Sequence, residues 1–238
     1  MKKDTIYKTK LKKVNDFVFD SKVADVFEDM INRSVPGYGL TLSMIACLAN
    51  KYAQDNSNCY DLGCALGAST LAMRRAIDKE NVKIIAVDNS EAMVEKCREN
   101  IKDTSIEIIC DDICNIEIKN ASVVVLNFTL QFIAPEKRTA FLKKIYQGLL
   151  PQGLVFIAEK IKFLNKKEQG FKENLYYTYK KLNGYSELEI SQKRDALQNI
   201  LKSDTISSYE ERLKGIGFDE FYICSQCLNF ISFCAIKK

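Results

Sequence analysis

The chain has 238 residues, 47% of them hydrophobic, which is enough to bury the core of one α/β domain with insertions. Its formal net charge of +4 is too small to indicate a nucleic-acid partner, which needs a concentrated basic face, and it permits an anionic small molecule equally well. No apolar run approaches the roughly 20 residues of a transmembrane helix, so no membrane association is expected.

The N-terminal region predicts a helical lid over a binding site. Its first residues lack the apolar stretch of a secretory signal, so a cytoplasmic protein is expected. From Phe17 to Ile31 the apolar residues follow helical spacing, and Pro36-Gly37 then interrupts the helix. The lid, about residues 17–52, contains Tyr38, a candidate ligand contact. A loop tyrosine that packs on the core is an equally good interpretation of Tyr38.

The segment Tyr60 to Ala68 reads Tyr-Asp-Leu-Gly-Cys-Ala-Leu-Gly-Ala and is the most informative in the chain. It predicts a strand ending near Asp61, a glycine loop and a helix. Gly63 and Gly67 would let the backbone approach a ligand, and the helix start offers free N–H groups to a carboxylate or phosphate. The dinucleotide fingerprint needs glycine at position 65, and a phosphate-binding loop ends in Gly-Lys-Ser or Gly-Lys-Thr. The segment instead resembles motif I of the Rossmann-like methyltransferases, with an ordinary cap and turn as the alternative.

Acidic residues follow the next two predicted strands. Asp88 ends the run Val82 to Val87, where a carboxylate can reach ribose hydroxyls at the edge of a βαβ unit. Ile106 to Cys110 is followed by Asp111 and Asp112, where the acid of this superfamily meets an adenine amino group. For Asp111, a solvated loop position is the preferred interpretation.

Short β-branched runs alternate with helical stretches, which is the pattern of a parallel sheet with helices on both faces. Strands are predicted at 58–62, 82–87, 106–110, 122–127 and 154–159, and helices at 69–77, 90–100 and 135–149. Leu149 to Gly153 is predicted to stop the last helix before the fifth strand, because proline cannot continue a helix. Strands at 221–224 and 228–236 complete a mostly parallel, seven-stranded sheet.

Between Phe163 and Ser203 the chain is charged, helical and too long for a simple crossover connection. This helical insertion, about residues 163–203, is where substrate selectivity is expected. The chain shows no linker rich in Gly, Pro or Ser. One Rossmann-like domain, 1–238, is therefore predicted.

The nine cysteines are spaced too irregularly for a disulfide framework. Cys224 and Cys227 match half of a zinc site, but residues three apart in a strand point to opposite faces, so no metal is expected. Five others lie in apolar surroundings and are predicted to pack as small hydrophobes: Cys47, Cys59, Cys97, Cys110 and Cys234.

Four segments carry a resemblance to one family: Arg33–Tyr38, Asp61–Ala68, Leu126–Phe132 and Asn183–Arg194. From about residue 17 to residue 237, the sequence is similar to the carboxy-S-adenosyl-L-methionine synthase family of the methyltransferase superfamily. The last segment is the most specific, because general methyltransferases have nothing like it there. The resemblance implies a Rossmann-like class I S-adenosylmethionine-dependent methyltransferase fold.

The resemblance implies that a carboxyl group passes from prephenate to the methyl carbon of S-adenosyl-L-methionine, giving carboxy-S-adenosyl-L-methionine and phenylpyruvate. In the family's mechanism, prephenate loses carbon dioxide and hydroxide, the hydroxide takes a methyl proton, and the resulting ylide captures the carbon dioxide. S-adenosyl-L-methionine is then a substrate, and its product serves 5-oxyacetyluridine formation at the tRNA wobble position without direct tRNA binding. The chain has no histidine, the commonest general base at neutral pH, and a base supplied by the substrate makes one unnecessary.

The resemblance also assigns site residues. Contacts to S-adenosyl-L-methionine are implied for Tyr38, Gly63, Cys64, Ala65, Asp88, Asn89, Asp112, Ile113, Asn127 and Arg194. Arg194 is the catalytic candidate as well, because a guanidinium binds a carboxylate bidentately. From its spacing alone, Arg194 would be a surface residue of an amphipathic helix. Family members are homodimers that exchange insertion helices near the sites, so Arg194 is a candidate to act across the interface.

Two other functions fit parts of the sequence. One is an S-adenosylmethionine-dependent methyltransferase acting on tRNA or a small molecule. Against a base-modifying enzyme, Asn127-Phe128-Thr129-Leu130 lacks the prolines that shape a pocket for a flipped base. The other is a non-catalytic subunit that binds the ligand and stabilises a partner, and it would be indifferent to Arg194.

Overall fold

A seven-stranded sheet lies at the centre of the computed structural model, which describes residues 2–238. The strands are β1 (Asn58–Leu62), β2 (Lys83–Asp88), β3 (Ile106–Cys110), β4 (Ala121–Asn127), β5 (Leu149–Lys160), β6 (Glu220–Cys227) and β7 (Phe230–Ile236). Their order in the sheet is β3-β2-β1-β4-β5-β7-β6. The first five are parallel, and β7 is antiparallel to β5 and β6. The predicted mostly parallel Rossmann-like sheet is confirmed.

Helices precede and connect the strands. They are α1 (Ser21–Ser34), α2 (Tyr38–Tyr52), α3 (Ala68–Ala76), α4 (Glu91–Asn100), α5 (Pro135–Gly148), α6 (Lys166–Leu182), α7 (Glu187–Leu197) and α8 (Ile206–Ile216), with a 3-10 helix at Leu130–Phe132. Side-chain caps fix several starts, because the first N–H groups of a helix have no partner within it. The Asp20 carboxylate accepts from the Val23 N–H, and the Ser90 hydroxyl accepts from the Met93 N–H.

Helices cover both faces of the sheet. On one face, Ile45 of α2 and Met73 of α3 are buried in the same cluster as Phe156 of β5. On the other, Leu142 of α5 and Leu213 of α8 are buried in a second cluster. Because both faces are covered, the central strands contain continuous apolar runs, and this is why their positions could be predicted from the sequence.

Two predicted boundaries are wrong, and packing explains both. The helical spacing from Phe17 includes residues that precede α1, because Asp20 caps the helix and α1 begins at Ser21. The predicted helix stop is confirmed, because α5 ends at Gly148 with Leu149 as its cap. The fifth strand, however, begins at Leu149 and not at Leu154, since Leu149 pairs with Ala121 of β4 and the register shifts before Leu154.

The prediction that five cysteines pack as small hydrophobes is only partly right. Cys59, Cys97 and Cys234 are buried, but Cys47 and Cys110 are exposed. Cys110 is the last residue of β3, which forms one edge of the sheet. Separately, no helix among residues 2–238 combines the length and apolar character needed to cross a bilayer.

Candidate functional site

A cavity of about 750 Å³ lies at the carboxyl ends of the parallel strands. Open α/β sheets bind ligands at this edge, because the loops after neighbouring strands converge there. Nine of the ten predicted contacts line this cavity, namely Tyr38, Gly63, Cys64, Ala65, Asp88, Asn89, Asp112, Ile113 and Asn127. The fold therefore brings together residues from the ends of four strands and from the lid.

The glycine loop after β1 adopts backbone conformations that require glycine. Gly63 has a φ of +85°, and a Cβ on it would collide with the Thr129 side chain. Gly67 has a φ of +87°, and a Cβ on it would lie 2.6 Å from Ile101 Cδ1. The N–H groups of Gly63 and Cys64 donate to the Val87 carbonyl at 2.8 and 3.0 Å, which holds the loop against the end of β2.

Asp88 connects the glycine loop to the start of α4. One of its carboxylate oxygens accepts from the Ala65 N–H at 2.9 Å, and the other accepts from the Ser90 N–H at 2.9 Å. Burial raises the pKa of Asp88, while these backbone N–H groups lower it. Each oxygen can accept a further hydrogen bond, so the carboxylate suits a vicinal diol such as that of a ribose.

Asn127 and Asp61 lie at the ends of the two central strands. Asn127 Nδ2 donates to Ser69 Oγ at 2.9 Å, and Asn127 Oδ1 is buried without a hydrogen-bond partner among residues 2–238. Asp61 is fully buried behind the loop and accepts from Thr70 Oγ1. Burial raises the pKa of Asp61 to about 7, although the Thr70 hydrogen bonds lower it. Asn127 thus offers an unused acceptor to a ligand, and Asp61 anchors α3.

The segment after β3 forms the far end of the cavity. Asp112 is exposed, and its Oδ1 accepts from the Cys114 N–H at 2.8 Å. Ile113 is buried and presents an apolar surface to the cavity. Asp111 is exposed outside the cavity lining, which agrees with its interpretation as a solvated loop residue.

Aromatic residues cover the cavity from the N-terminal side. Phe17, Phe19 and Phe27 line it, and the Phe19 ring lies 5.4 Å from the Phe132 ring in an edge-on arrangement. Tyr38 begins α2 with its ring 6.5 Å from that of Phe128. The aromatic residues of the predicted lid therefore give one side of the cavity an apolar wall.

Arg194 is the one predicted contact that does not line the cavity of its own chain. It lies on α7 with an exposed side chain, and its Nη2 is 3.1 Å from Asp195 Oδ1. The preceding residue, Lys193, lines the cavity instead. Successive helical residues point about 100° apart, and here Lys193 faces the cavity while Arg194 does not. A role for Arg194 stays a prediction.

Three lysines line the cavity and are not among the predicted contacts, namely Lys137 of α5, Lys160 and Lys193. Lys160 is the last residue of β5 and follows the buried Glu159. Asp88 and Asn127 are polar residues at the ends of strands, and for Asp88 this position is the basis of the prediction. Lys160 has the same kind of position, so the same reasoning could have predicted it. Lys193 is adjacent in sequence to Arg194, and only the rotation of α7 about its axis decides which of the two faces the cavity.

Residues 59–153 match a family model described as a methyltransferase domain. Human N-acetylserotonin methyltransferase in complex with S-adenosylmethionine is similar with a TM-score of 0.63 at 16% identity, over 91% of this chain and 55% of that chain. Magnesium protoporphyrin IX methyltransferase from Synechocystis PCC 6803, with bound S-adenosylhomocysteine, has a TM-score of 0.61 at 12% identity, over 88% and 87% of the two chains. At these identities the likeness shows the fold alone.

The sheet order and the position of the cavity define the class I methyltransferase fold. The carboxy-S-adenosyl-L-methionine synthase of Shewanella halifaxensis is 50% identical over 98% of both chains. That of Histophilus somni is 51% identical over the full length of both. The chain belongs to the carboxy-S-adenosyl-L-methionine synthase family.

Proposed function

We propose that the protein makes carboxy-S-adenosyl-L-methionine and phenylpyruvate from S-adenosyl-L-methionine and prephenate. The observation that carries the proposal is that nine of the residues implied by the family resemblance line one and the same cavity. The proposal is also supported by relatives named as synthases, which are 50% and 51% identical to this chain over nearly its whole length. The product would supply wobble-uridine modification, for which the chain itself need not bind tRNA, and the protein would act in the cytoplasm.

The cavity suits an extended nucleoside joined to an amino acid. Along the sheet edge, Asp112 follows β3, Asp88 ends β2, the glycine loop follows β1 and Asn127 ends β4. Neighbouring strands are about 4.8 Å apart, so these four positions span about 14 Å. Adenine would lie beside Asp112, the ribose diol on Asp88, and the methionine part against the loop and the free Asn127 Oδ1.

In the proposed reaction, prephenate loses carbon dioxide and hydroxide as its ring becomes aromatic. The hydroxide takes one proton from the sulfonium methyl group and becomes water, and the methyl carbon forms a bond to the carbon dioxide. The protein supplies orientation and a cavity from which water is excluded, because water would quench the reactive carbon. The aromatic rings of Phe19, Phe128 and Phe132 provide such walls.

We infer a homodimer from the surface of the helical insertion. Large apolar side chains are exposed on α6 and just before it: Leu164 (83% exposed), Phe171 (60%), Leu175 (41%) and Leu182 (83%). Several large apolar side chains exposed on one helix are typical of an interaction site. Dimerisation through the insertion would also bring the exposed Arg194 near a second copy. Light scattering coupled to size exclusion should give twice the chain mass, and a monomer would contradict this inference.

The test is to mix the purified protein with S-adenosyl-L-methionine and prephenate and to follow both products by mass spectrometry. We expect a mass gain of one carboxyl group on S-adenosyl-L-methionine that appears only with prephenate, together with phenylpyruvate. If neither product forms, the proposal is wrong. Methyl transfer to an added acceptor would point to an ordinary methyltransferase, and ligand binding without turnover would point to a non-catalytic subunit.

A further inference from the structure

Three lysines lie together at the β5 end of the cavity. Lys160 and Lys193 line it, and Lys180 of α6 is buried beside them. The Nζ atoms of Lys180 and Lys160 lie 4.4 and 5.2 Å from the centroid of the Tyr176 ring, which both share. Lys193 Nζ donates to Ser34 Oγ at 3.3 Å. We call these three residues the lysine cluster.

Within the part of the chain that the structure describes, no carboxylate forms an ion pair with the lysine cluster. The acids whose charges reach the cluster, Glu173, Asp4 and Asp29, are hydrogen-bonded to other groups. Burial of cations without a counter-charge is unfavourable, so the arrangement fits a site that an anion completes.

The pKa values agree with this crowding of positive charge. Burial, together with the nearby charges of Lys160, Lys193 and Arg194, lowers the pKa of Lys180 to about 7. Burial likewise lowers the pKa of Lys193 to about 8 and shifts that of Lys160 downward. A bound carboxylate would reverse these effects, because an opposite charge favours the protonated amine.

The position of the cluster favours the second substrate over S-adenosyl-L-methionine. The nucleoside end belongs at Asp112, after β3, whereas Lys160 ends β5, four strand spacings or about 19 Å along the sheet edge. The sulfonium of S-adenosyl-L-methionine is itself a cation, so lysines beyond it repel it unless an anion lies between them. A carboxylate-bearing donor placed there would separate the charges.

We propose that Lys160 and Lys193 bind the carboxylate that the carboxyl donor keeps, with Lys180 adding positive charge behind them. This inference rests on the proposed function, in which the donor is a dicarboxylate that loses one group as carbon dioxide. Cations stabilise a carboxylate more than the neutral carbon dioxide formed from it. Holding the departing group would therefore slow the reaction, since ground-state binding raises the barrier. The carboxylate that departs as carbon dioxide would therefore lie against the aromatic walls of the cavity, away from the lysine cluster.

The experiment uses Lys160→Met and Lys193→Met, which retain an unbranched stem, and Lys193→Arg, which retains the charge. Lys162→Met is the matched control, because Lys162 is exposed two residues beyond β5. Three quantities are measured for each full-length variant: KM for prephenate, the inhibition constant of phenylpyruvate, and Kd for S-adenosyl-L-methionine by calorimetry. Phenylpyruvate carries only the retained carboxylate, so it reports that contact without turnover.

We expect each Met variant to raise both the prephenate KM and the phenylpyruvate inhibition constant at least tenfold. The Kd for S-adenosyl-L-methionine should stay within twofold, Lys193→Arg should recover part of the loss, and the control should match wild type. The Met variants should melt no lower than wild type, because they remove half-buried charges that have no carboxylate partner among the described residues. If one still fails to fold, the other Met variant and Lys193→Arg carry the test.

Three results would overturn the assignment. Unchanged constants for both ligands would show that the lysines do not bind the donor. An equal loss of S-adenosyl-L-methionine affinity would assign them to that molecule's own carboxylate. A raised prephenate KM with an unchanged phenylpyruvate constant would assign them to the departing group. If wild type forms no product but binds phenylpyruvate through these lysines, the proposed function fails while the carboxylate site stands.

Discussion

Asp88→Asn tests the electrostatic centre of the binding site. Both carboxylate oxygens of Asp88 accept backbone N–H groups, from Ala65 and Ser90, at 2.9 Å. The amide variant keeps one acceptor and turns an NH₂ group toward an N–H donor. The variant therefore loses the charge, disturbs the glycine loop and offers the ribose a poorer acceptor.

The size of the effect follows from these contacts. A hydrogen bond to a charged group contributes about 1.5–3 kcal/mol, and about 1.4 kcal/mol corresponds to a factor of ten in affinity. Loss of one such bond to the ribose, or of the loop geometry that supports it, should raise the Kd for S-adenosyl-L-methionine by about tenfold to about a hundredfold.

Calorimetric titration measures this Kd, and far-ultraviolet circular dichroism with a melting curve verifies that the variant is folded. The matched control is Asp111→Asn, which neutralises an exposed acid at the end of β3 outside the cavity lining. It should bind with wild-type affinity. An Asp88→Asn protein that is folded and binds as tightly as wild type would refute the role given to this carboxylate.

Three further changes probe the loop, the buried acid and the surface arginine. Gly63→Ala forces a Cβ into a φ of +85° and against Thr129, so it should lower stability by more than about 1 kcal/mol and weaken S-adenosyl-L-methionine binding. Burial raises the pKa of Asp61 to about 7, so the folded chain holds a proton that the unfolded chain releases near pH 4. Stability should therefore fall as the pH rises from about 4 to about 7, and urea unfolding across this range should show a flatter dependence for Asp61→Asn. Arg194→Ala should abolish formation or retention of the carboxylated product, measured by mass spectrometry.

Each of these has a control or an opposing result. Gly39→Ala, at an exposed helical position with open space around it, should stabilise the chain slightly or leave it unchanged in the same melting experiment. Equal pH dependence of wild type and Asp61→Asn would show that Asp61 ionises as in water. Normal turnover of Arg194→Ala would remove this residue from the reaction.

Much of the fold could be predicted because both faces of the sheet are buried. Continuous apolar runs give the positions of β2 and β4 to within one residue at each end. The neighbouring glycine and acidic residues indicate which strand ends carry the site. The start of β5 could not be predicted in this way. Leu149 to Gly153 contains proline and glycine, which locally favour a turn, and only pairing with β4 makes this stretch part of the strand.

The candidate site likewise has one part that local sequence predicts and another that depends on tertiary packing. Local sequence determines the glycine loop and the acids after β2 and β3, because each lies within a few residues of the strand that positions it. The cavity wall at the β5 end was decided by tertiary packing. Lys160 and Lys193 line the same cavity although more than thirty residues separate them in the sequence. The rotation of α7 directs Lys193 into the cavity and Arg194 away from it. Helical rotation and long-range contacts depend on the packing of whole elements, which short-range sequence patterns do not encode.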